Sequence, residues 1–294
     1  MIYNKEGINP DLADAIKKDF NKNKSVDYIK NKYSITHNET LGILDSIGIS
    51  PNRLLNELCE YDLGNEPFVV ISDTHIGSEL ENIRYLNRVY EYCIDNNIKK
   101  ILHTGDLFQS TIRPVSKKMR DLEKQVEHGI NHYPSDPSID NYILFGNHDF
   151  HLIKHNEDFL EIIDSRSDFN LMGFRKAYFK WAKHLMCASH DIDKFKLRLP
   201  NVDPFIRFVG HRHEMKVVGD TSIMVPTLSE DVKMYAQYNN PGFLLVKPEG
   251  NKVKVFHYFI KDFSEDKKGK WIESVPIFPH GIVLTKKINP LYRK

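Results

Sequence analysis

Pro67-Phe68-Val69-Val70-Ile71-Ser72-Asp73-Thr74-His75 is a short apolar run that stops at a carboxylate and an imidazole. A run of this length, bounded by Pro67 and by polar residues, reads as a buried strand. The same pattern recurs downstream. Ile98-Lys99-Lys100-Ile101-Leu102-His103-Thr104 ends at Gly105-Asp106, and Asn141-Tyr142-Ile143-Leu144-Phe145 ends at Gly146-Asn147-His148-Asp149. Leu185-Met186-Cys187-Ala188-Ser189 ends at His190, and Phe205-Ile206-Arg207-Phe208-Val209 ends at Gly210-His211-Arg212-His213. Helical spacing of apolar residues separates the first three runs. Glu81 to Asn96 carries Ile83, Leu86, Val89, Tyr90 and Ile94, and Met119 to Ile130 reads as a second helix. Polar ligands at the carboxyl ends of strands are where open α/β sheets build their sites, so the fold class is α/β.

The side chains at these ends form a set of metal ligands. Two divalent cations about 3.5–4 Å apart need one shared ligand and several of their own. A carboxylate can bridge, which selects Asp106. Asp73 and His75, two apart at a strand end, reach one cation, and His213 completes that site. Asn147, His190 and His211 complete the other. In His211-Arg212-His213 the two imidazoles can face neighbouring cations with Arg212 turned away. Mixed imidazole and oxygen donors suit Mn, Fe, Zn or Co better than Mg or Ca, with Mn the first expectation. A water between two such cations would ionise near neutral pH. Taken singly, the pieces have plainer readings. Asp-x-His is common in loops, Gly-Asn-His-Asp suits a turn, and a lone His is more often a packed or surface residue. Ordered joint occurrence, each at a strand end, is what gives the set its meaning.

This pattern resembles the calcineurin-like metallophosphoesterases over roughly residues 67–260. Their signature is Asp-x-His, Gly-Asp, Gly-Asn-His-Asp/Glu, a lone His and Gly-His-x-His. Ser72-Asp73-Thr74-His75-Ile76-Gly77 and Gly105-Asp106-Leu107-Phe108 look most like the Mre11/SbcD-type nuclease branch. The resemblance implies a four-layer α/β/β/α sandwich and hydrolysis of phosphodiester bonds by a metal-activated hydroxide, with nucleic acid as the expected substrate class. It implies His148 as the catalytic His, protonating the leaving oxygen or binding the scissile phosphate. Asp149 would orient or charge that imidazole. The alternatives are a small-molecule or nucleotide phosphatase or phosphodiesterase of the same superfamily, and a DNA- or protein-binding scaffold with degenerate activity. A groove lined by Arg113, Lys117, Lys118 and Arg120 would favour nucleic acid. His103 reads as strand packing, and His128, His132, His151, His155, His184, His257 and His280 as surface or supporting residues.

Residues 1–62 read as a small all-α, helix-turn-helix-like module ahead of a catalytic domain at 63–262 and a C-terminal extension at 263–294. Asn9 to Phe20 is helical, with Pro10 in the first turn. Ser25 caps a second helix with Val26, Ile29 and Tyr33. A third runs from Thr36 to Ile47 and closes at Gly48. The layout suits DNA contact, or equally a helical packing or protein-contact module. Its charges offer little for base readout. The third helix has no Lys or Arg and carries Glu39 and Asp45, leaving His37 and Asn38. Lys22, Lys24, Lys30 and Lys32 flank it, offset by Asp11, Asp14, Asp19 and Asp27.

Composition sets the outer bounds. The 294 residues are 40% hydrophobic and 28% charged, enough for a sizeable core. A formal net charge of +1 gives no global pull toward nucleic acid or membranes. Cys59, Cys93 and Cys187 are widely spaced and read as free thiols. With no signal-like start and no run near the ~18 apolar residues of a membrane span, the expected location is cytoplasmic. After His213, strands are expected at Thr221–Val225, Gly242–Val246 and Val253–Phe259, with turns at 239–242 and 248–251. Lys286 to Lys294 reads as a short solvated tail.

Overall fold

The computed structural model describes residues 3–4, 7–21, 26–35, 39–40, 43–44, 47, 61–112, 121–155, 159–182, 184–190, 204–229, 241–260 and 277–287. The basic stretch with Arg113, Lys117, Lys118 and Arg120 lies outside them. So do His37, Asn38, Ser25, Gly48, Cys59 and most of the expected third helix. Among the described residues, no helix is long and apolar enough to cross a membrane.

Two sheets lie face to face. The larger has seven strands, in the order β15-β14-β13-β4-β5-β6-β7. Its parallel half is β4 (Phe68–Ile71), β5 (Lys100–His103), β6 (Asp140–Phe145) and β7 (Phe169–Phe174). Its antiparallel half is β13 (Gly242–Glu249), β14 (Lys252–Ile260) and β15 (Ile277–Lys287). The smaller has six, in the order β11-β12-β10-β9-β8-β3. These are β3 (Tyr61–Asp62), β8 (Lys176–Trp181), β9 (His184–Ser189), β10 (Ile206–Val209), β11 (Lys216–Val218) and β12 (Ser222–Met224). β9, β10 and β12 run parallel.

The alternation of strand side chains separates the layers. Phe68 and Val70 of β4 point between the sheets, with Phe179, Trp181, Met186, Ala188, Phe208 and Leu244. Val69 and Ile71 point the other way, into a cluster with the helices α3 (Ile83–Asp95), α4 (Leu122–His132), α5 (Asn147–His155) and α6 (Phe159–Asp164). On the opposite side, Tyr178, Leu185 and Cys187 of the smaller sheet pack with Ala13, Ile16, Phe20, Ile29, Ile35, Ile43 and Leu44. The fold is thus a four-layer α/β/β/α sandwich. Its fourth layer comes from α1 (Pro10–Asn21), α2 (Val26–Tyr33) and the helical residues 39–40 and 43–44. α1 is capped by Asn9, whose Oδ1 accepts from Asp11 N at 2.9 Å.

The N-terminal residues depart from the all-α expectation. A two-stranded ladder, β1 (Tyr3–Asn4) with β2 (Gly7–Ile8), precedes α1. Lys32, one of the lysines flanking the expected third helix, is bonded to Asp19, which also accepts from Tyr33 Oη at 2.8 Å. The sequence reading also omits α5, α6, β7 and β8. α5 is short and opens on Asn147, His148 and Asp149, residue types that favour turns as readily as helix starts. The expected solvated tail begins differently, because Lys286 lies in β15 and donates to Phe205 O at 2.7 Å. Pro248 and Glu249 are still in β13, so that turn shrinks to Gly250-Asn251.

The shared cluster makes a stability prediction. Ile16 is fully buried among residues of both α1 and the smaller sheet. Ile16→Ala should destabilise the protein by about 2–5 kcal/mol in a single urea transition followed by circular dichroism. A separate early transition, with the rest of the curve unmoved, would contradict the packing.

Candidate metal centre

The carboxyl ends of β4, β5 and β6 in one sheet, and of β9 and β10 in the other, meet at one edge of the sandwich. Every expected ligand follows one of these strands. Backbone bonds continue past the strand ends and align the loops. Asp73 N donates to Gly105 O at 3.0 Å, His75 N to Asp106 O at 3.1 Å and Ile76 N to Leu107 O at 2.9 Å. Five of the expected ligand residues take left-handed backbone, with φ of +53° at Asp73, +46° at His75, +54° at Asp106, +72° at His211 and +58° at His213. Asp and His tolerate this region better than most residues, but it remains uncommon and carries a conformational cost.

The turn out of each strand lets the side chains converge. Among the described residues, three donor groups have ligand atoms within 4.8 Å of one another: Asp73 with His75 and His213, His75 with Asp106 and His148, and Asp106 with His190 and His211. His213 Nε2 is 3.3 Å and His75 Nε2 3.7 Å from Asp73 Oδ1. Asp106 Oδ2 faces His190 Nε2 at 3.0 Å, and His75 and His148 Nε2 at 3.9 Å. Asp106 therefore belongs to two of the groups, and the two imidazoles of His211-Arg212-His213 go to different ones. Asp73, His75, Asp106, His148 and His190 are buried, while His211 and His213 are partly exposed. Asn147 opens α5 beside them, next to His148, whose N–H donates to Asp106 Oδ1 at 2.9 Å.

The residues fit cations. Asp73 Oδ1 and His190 Nε2 are buried without a well-formed hydrogen bond, the condition of atoms that await another partner. His190 donates Nδ1–H to Thr104 O at 2.9 Å, which leaves Nε2 to face Asp106. Asp73 Oδ2 is already occupied by Ser72 Oγ and by His211 N at 3.0 Å, so Oδ1 is the oxygen left to ligate. Burial alone would push Asp73 and Asp106 up, yet neighbouring imidazoles (His213 and His190 for Asp73, His190 first for Asp106) hold both well below the usual carboxylate range. Burial opposes charge on His190, but Asp106 beside it carries it up to about 10. Burial and then His213 push His75 down to about 3, so its ring is neutral, the form that ligates.

Asp149 does not hold the imidazole of His148. Its carboxylate accepts from Phe108 N at 2.9 Å, Leu107 N at 3.1 Å and Gly146 N at 2.8 Å, and so ties the Gly146 loop to the Gly105 loop. Gln109 O takes the expected place, accepting from His148 Nδ1 at 2.5 Å. Three amides thus take up most of the acceptor capacity of this carboxylate. Burial, with Asp106 adding to it, nevertheless raises Asp149 to about 7.

Sequence reasoning missed several supporting residues. His103 is no packing residue but bonds Thr74 and Gly105. Glu81 accepts from Gly77 N at 2.5 Å and bonds His128 Nε2 at 2.8 Å, fastening the turn after His75. Thr227 Oγ1 donates to Asp73 O at 2.8 Å. A histidine within an apolar strand was a signal for His103. Glu81 and Thr227 lie far from the motifs in pattern and gave none.

The family model for calcineurin-like phosphoesterases matches residues 66–219. The chain belongs to that family. Its members hydrolyse phosphate esters with divalent metals, and the enzyme is accordingly a metal-dependent phosphoesterase. No curated protein matches the chain. Among solved structures, it is similar to YfcE, a phosphoesterase from E. coli, at 14% identity and TM-score 0.43, covering 76% of this chain and 100% of that one. It is similar to Vps29 of Chaetomium thermophilum at 12% identity and TM-score 0.43, covering 76% and 98%. An archaeal phosphodiesterase matches at 14% identity and TM-score 0.40, covering 65% and 99%.

Gly146 provides a test of the close approach around Asp106. A Cβ there would lie 2.2 Å from Asp106 Oδ1 and 2.5 Å from its backbone N. Gly146→Ala should destabilise by about 1–3 kcal/mol in chemical denaturation. An unchanged midpoint would mean that this loop sits farther from Asp106.

Proposed function

We propose that this phosphoesterase is a dinuclear phosphodiesterase whose substrate class is nucleic acid. The observation that carries the reading is the place of Asp106, one carboxylate common to the donor group with His75 and His148 and to the one with His190 and His211. In this reading Asp73, His75 and His213 hold one cation, Asn147, His190 and His211 the other, and Asp106 bridges them. Bound cations would polarise the phosphoryl oxygens and make an attacking hydroxide available near neutral pH. The donor set favours Mn, with Fe, Zn or Co as alternatives.

The remaining work falls to the chain. His148 holds Nδ1–H against Gln109 O, which fixes the ring and directs Nε2 toward the Asp106 side of the centre. A proton on Nε2 is then placed for the leaving oxygen, and the Gln109 carbonyl stabilises the imidazolium that carries it. Asp149 acts one step back, holding the loops that carry Asp106 and His148. Nucleic acid is supported by the likeness of Ser72–Gly77 and Gly105–Phe108 to the Mre11/SbcD-type branch. The basic residues Arg113, Lys117, Lys118 and Arg120, soon after Asp106 in sequence, add to it.

The test is a hydrolysis panel with Mn on bis-p-nitrophenyl phosphate, p-nitrophenyl phosphate, and labelled single- and double-stranded DNA and RNA. Cleavage of nucleic acid is expected, abolished by chelation and restored better by Mn than by Mg. His148→Ala should keep its metals and lose about 10²–10⁴ in rate. Asp106→Asn should lose affinity for both cations in equilibrium dialysis. Turnover of small esters with every nucleic acid left intact would move the substrate class to small molecules. Loss of only one cation in Asp106→Asn would refute the bridge.

A further inference from the structure

A buried chain of polar contacts runs behind the proposed metal ligands. Gly105 N–H donates to His103 Nδ1 at 3.2 Å. A backbone amide can only donate, so Nδ1 is the acceptor and the ring proton sits on Nε2. Nε2 lies 3.1 Å from Thr74 Oγ1, and Thr74 Oγ1 in turn donates to Leu107 O at 2.9 Å. Every donor and acceptor in this chain has a defined role. His103 and Thr74 are both buried, and burial, opposed only in part by Asp73, lowers His103 to about 4 and keeps its ring neutral. Thr74 separates Asp73 from His75, while Gly105 and Leu107 flank Asp106. The strap therefore joins the residues next to three ligands that all sit in left-handed backbone.

We propose that His103 and Thr74 are a positioning pair that holds the Asp73–His75 and Asp106 loops in their ligating conformation and so sets affinity for the metals. Neither side chain belongs to the proposed ligand set, and their bonds run to each other, to Gly105 N and to Leu107 O. Backbone bonds between Asp73 and Gly105, and between His75 and Asp106, fix the separation of the two loops. The strap adds a tie at the back of each turn, where an unfavourable φ would otherwise relax. Outer contacts of this kind typically govern metal affinity about 10–100-fold. The pair also fixes its own specificity. A Thr hydroxyl must accept from the ring and donate to the carbonyl, which Val cannot do and Ser can.

The inference rests on the proposed dinuclear reading, and one measurement separates them. Mn²⁺ binding is followed by equilibrium dialysis on wild type, His103→Leu, Thr74→Val, Thr74→Ser and His103→Leu/Thr74→Val, with the thermal melt of each metal-free protein alongside. Wild type should bind two equivalents. His103→Leu and Thr74→Val should each weaken binding about 10–100-fold, the double variant should be no worse than the poorer single, and Thr74→Ser should stay near wild type. If His103→Leu does not fold, the Val and Ser variants at Thr74 carry the comparison. Wild-type affinity in Thr74→Val, or a loss in Thr74→Ser equal to that in Thr74→Val, overturns the pair. So does a melting shift with binding unchanged, or a double variant that loses the product of the singles. A wild type that binds no Mn²⁺ overturns the dinuclear reading and the pair with it.

Discussion

The structure turns on a carboxylate placed where a carboxylate is hardest to keep. Asp106 is buried, with one oxygen bonded to the His148 amide and the other turned to three imidazoles. Isolating such a charge from water is expensive unless it is paired or coordinates metal. Asp73, also buried, repeats the situation and faces the same His75 nitrogen. The rest of the sandwich brings enough imidazole nitrogen to this point to make two buried carboxylates tolerable, and two sheets are needed because one cannot supply it. β4 and β5 deliver the carboxylates and His75. β9 and β10 deliver His190, His211 and His213 from the opposite layer.

Convergence from two sheets has a backbone cost, and much of the surrounding hydrogen bonding answers to it. Positive φ at five of the expected ligand residues persists only if neighbours over-determine it. Asp149 accepts from three amides of adjoining loops, and Thr227 and Glu81 fasten the loop after β4 at its carbonyl and at Gly77 N–H. Gly146 contributes by lacking a side chain, since Asp106 occupies the space a Cβ would need. The polar residues near the centre are thus largely engaged in keeping loops still, while His148 and His190 each have Nδ1 fixed by a backbone carbonyl and Nε2 facing Asp106.

Much of this was legible in the sequence because the chemistry is concentrated at strand ends. An apolar run followed by Asp, His or Gly-Asn-His can be recognised residue by residue, and the spacing of His211 and His213, two apart with Arg212 between them, suggested that both reach the centre. What was not legible depends on partners distant in the chain. The duty of Asp149 could not be read from its place beside His148, because adjacency in sequence suggested contact with that ring while the fold supplied three amides instead. His103 looked apolar by company, and only the approach of Thr74 gives its nitrogens a purpose. The N-terminal helices read as a module in their own right, yet their buried face is continuous with Tyr178, Leu185 and Cys187. Nothing local to residues 10–44 reveals that the smaller sheet would otherwise expose its outer face.

The most direct test of the shared carboxylate is anomalous diffraction from crystals grown with Mn²⁺. Two peaks about 3.5–4 Å apart, with Asp106 between them and His75 and His213 on one side and His190 and His211 on the other, are the predicted result. A single peak, or two peaks that leave Asp106 bound to only one of them, would contradict it.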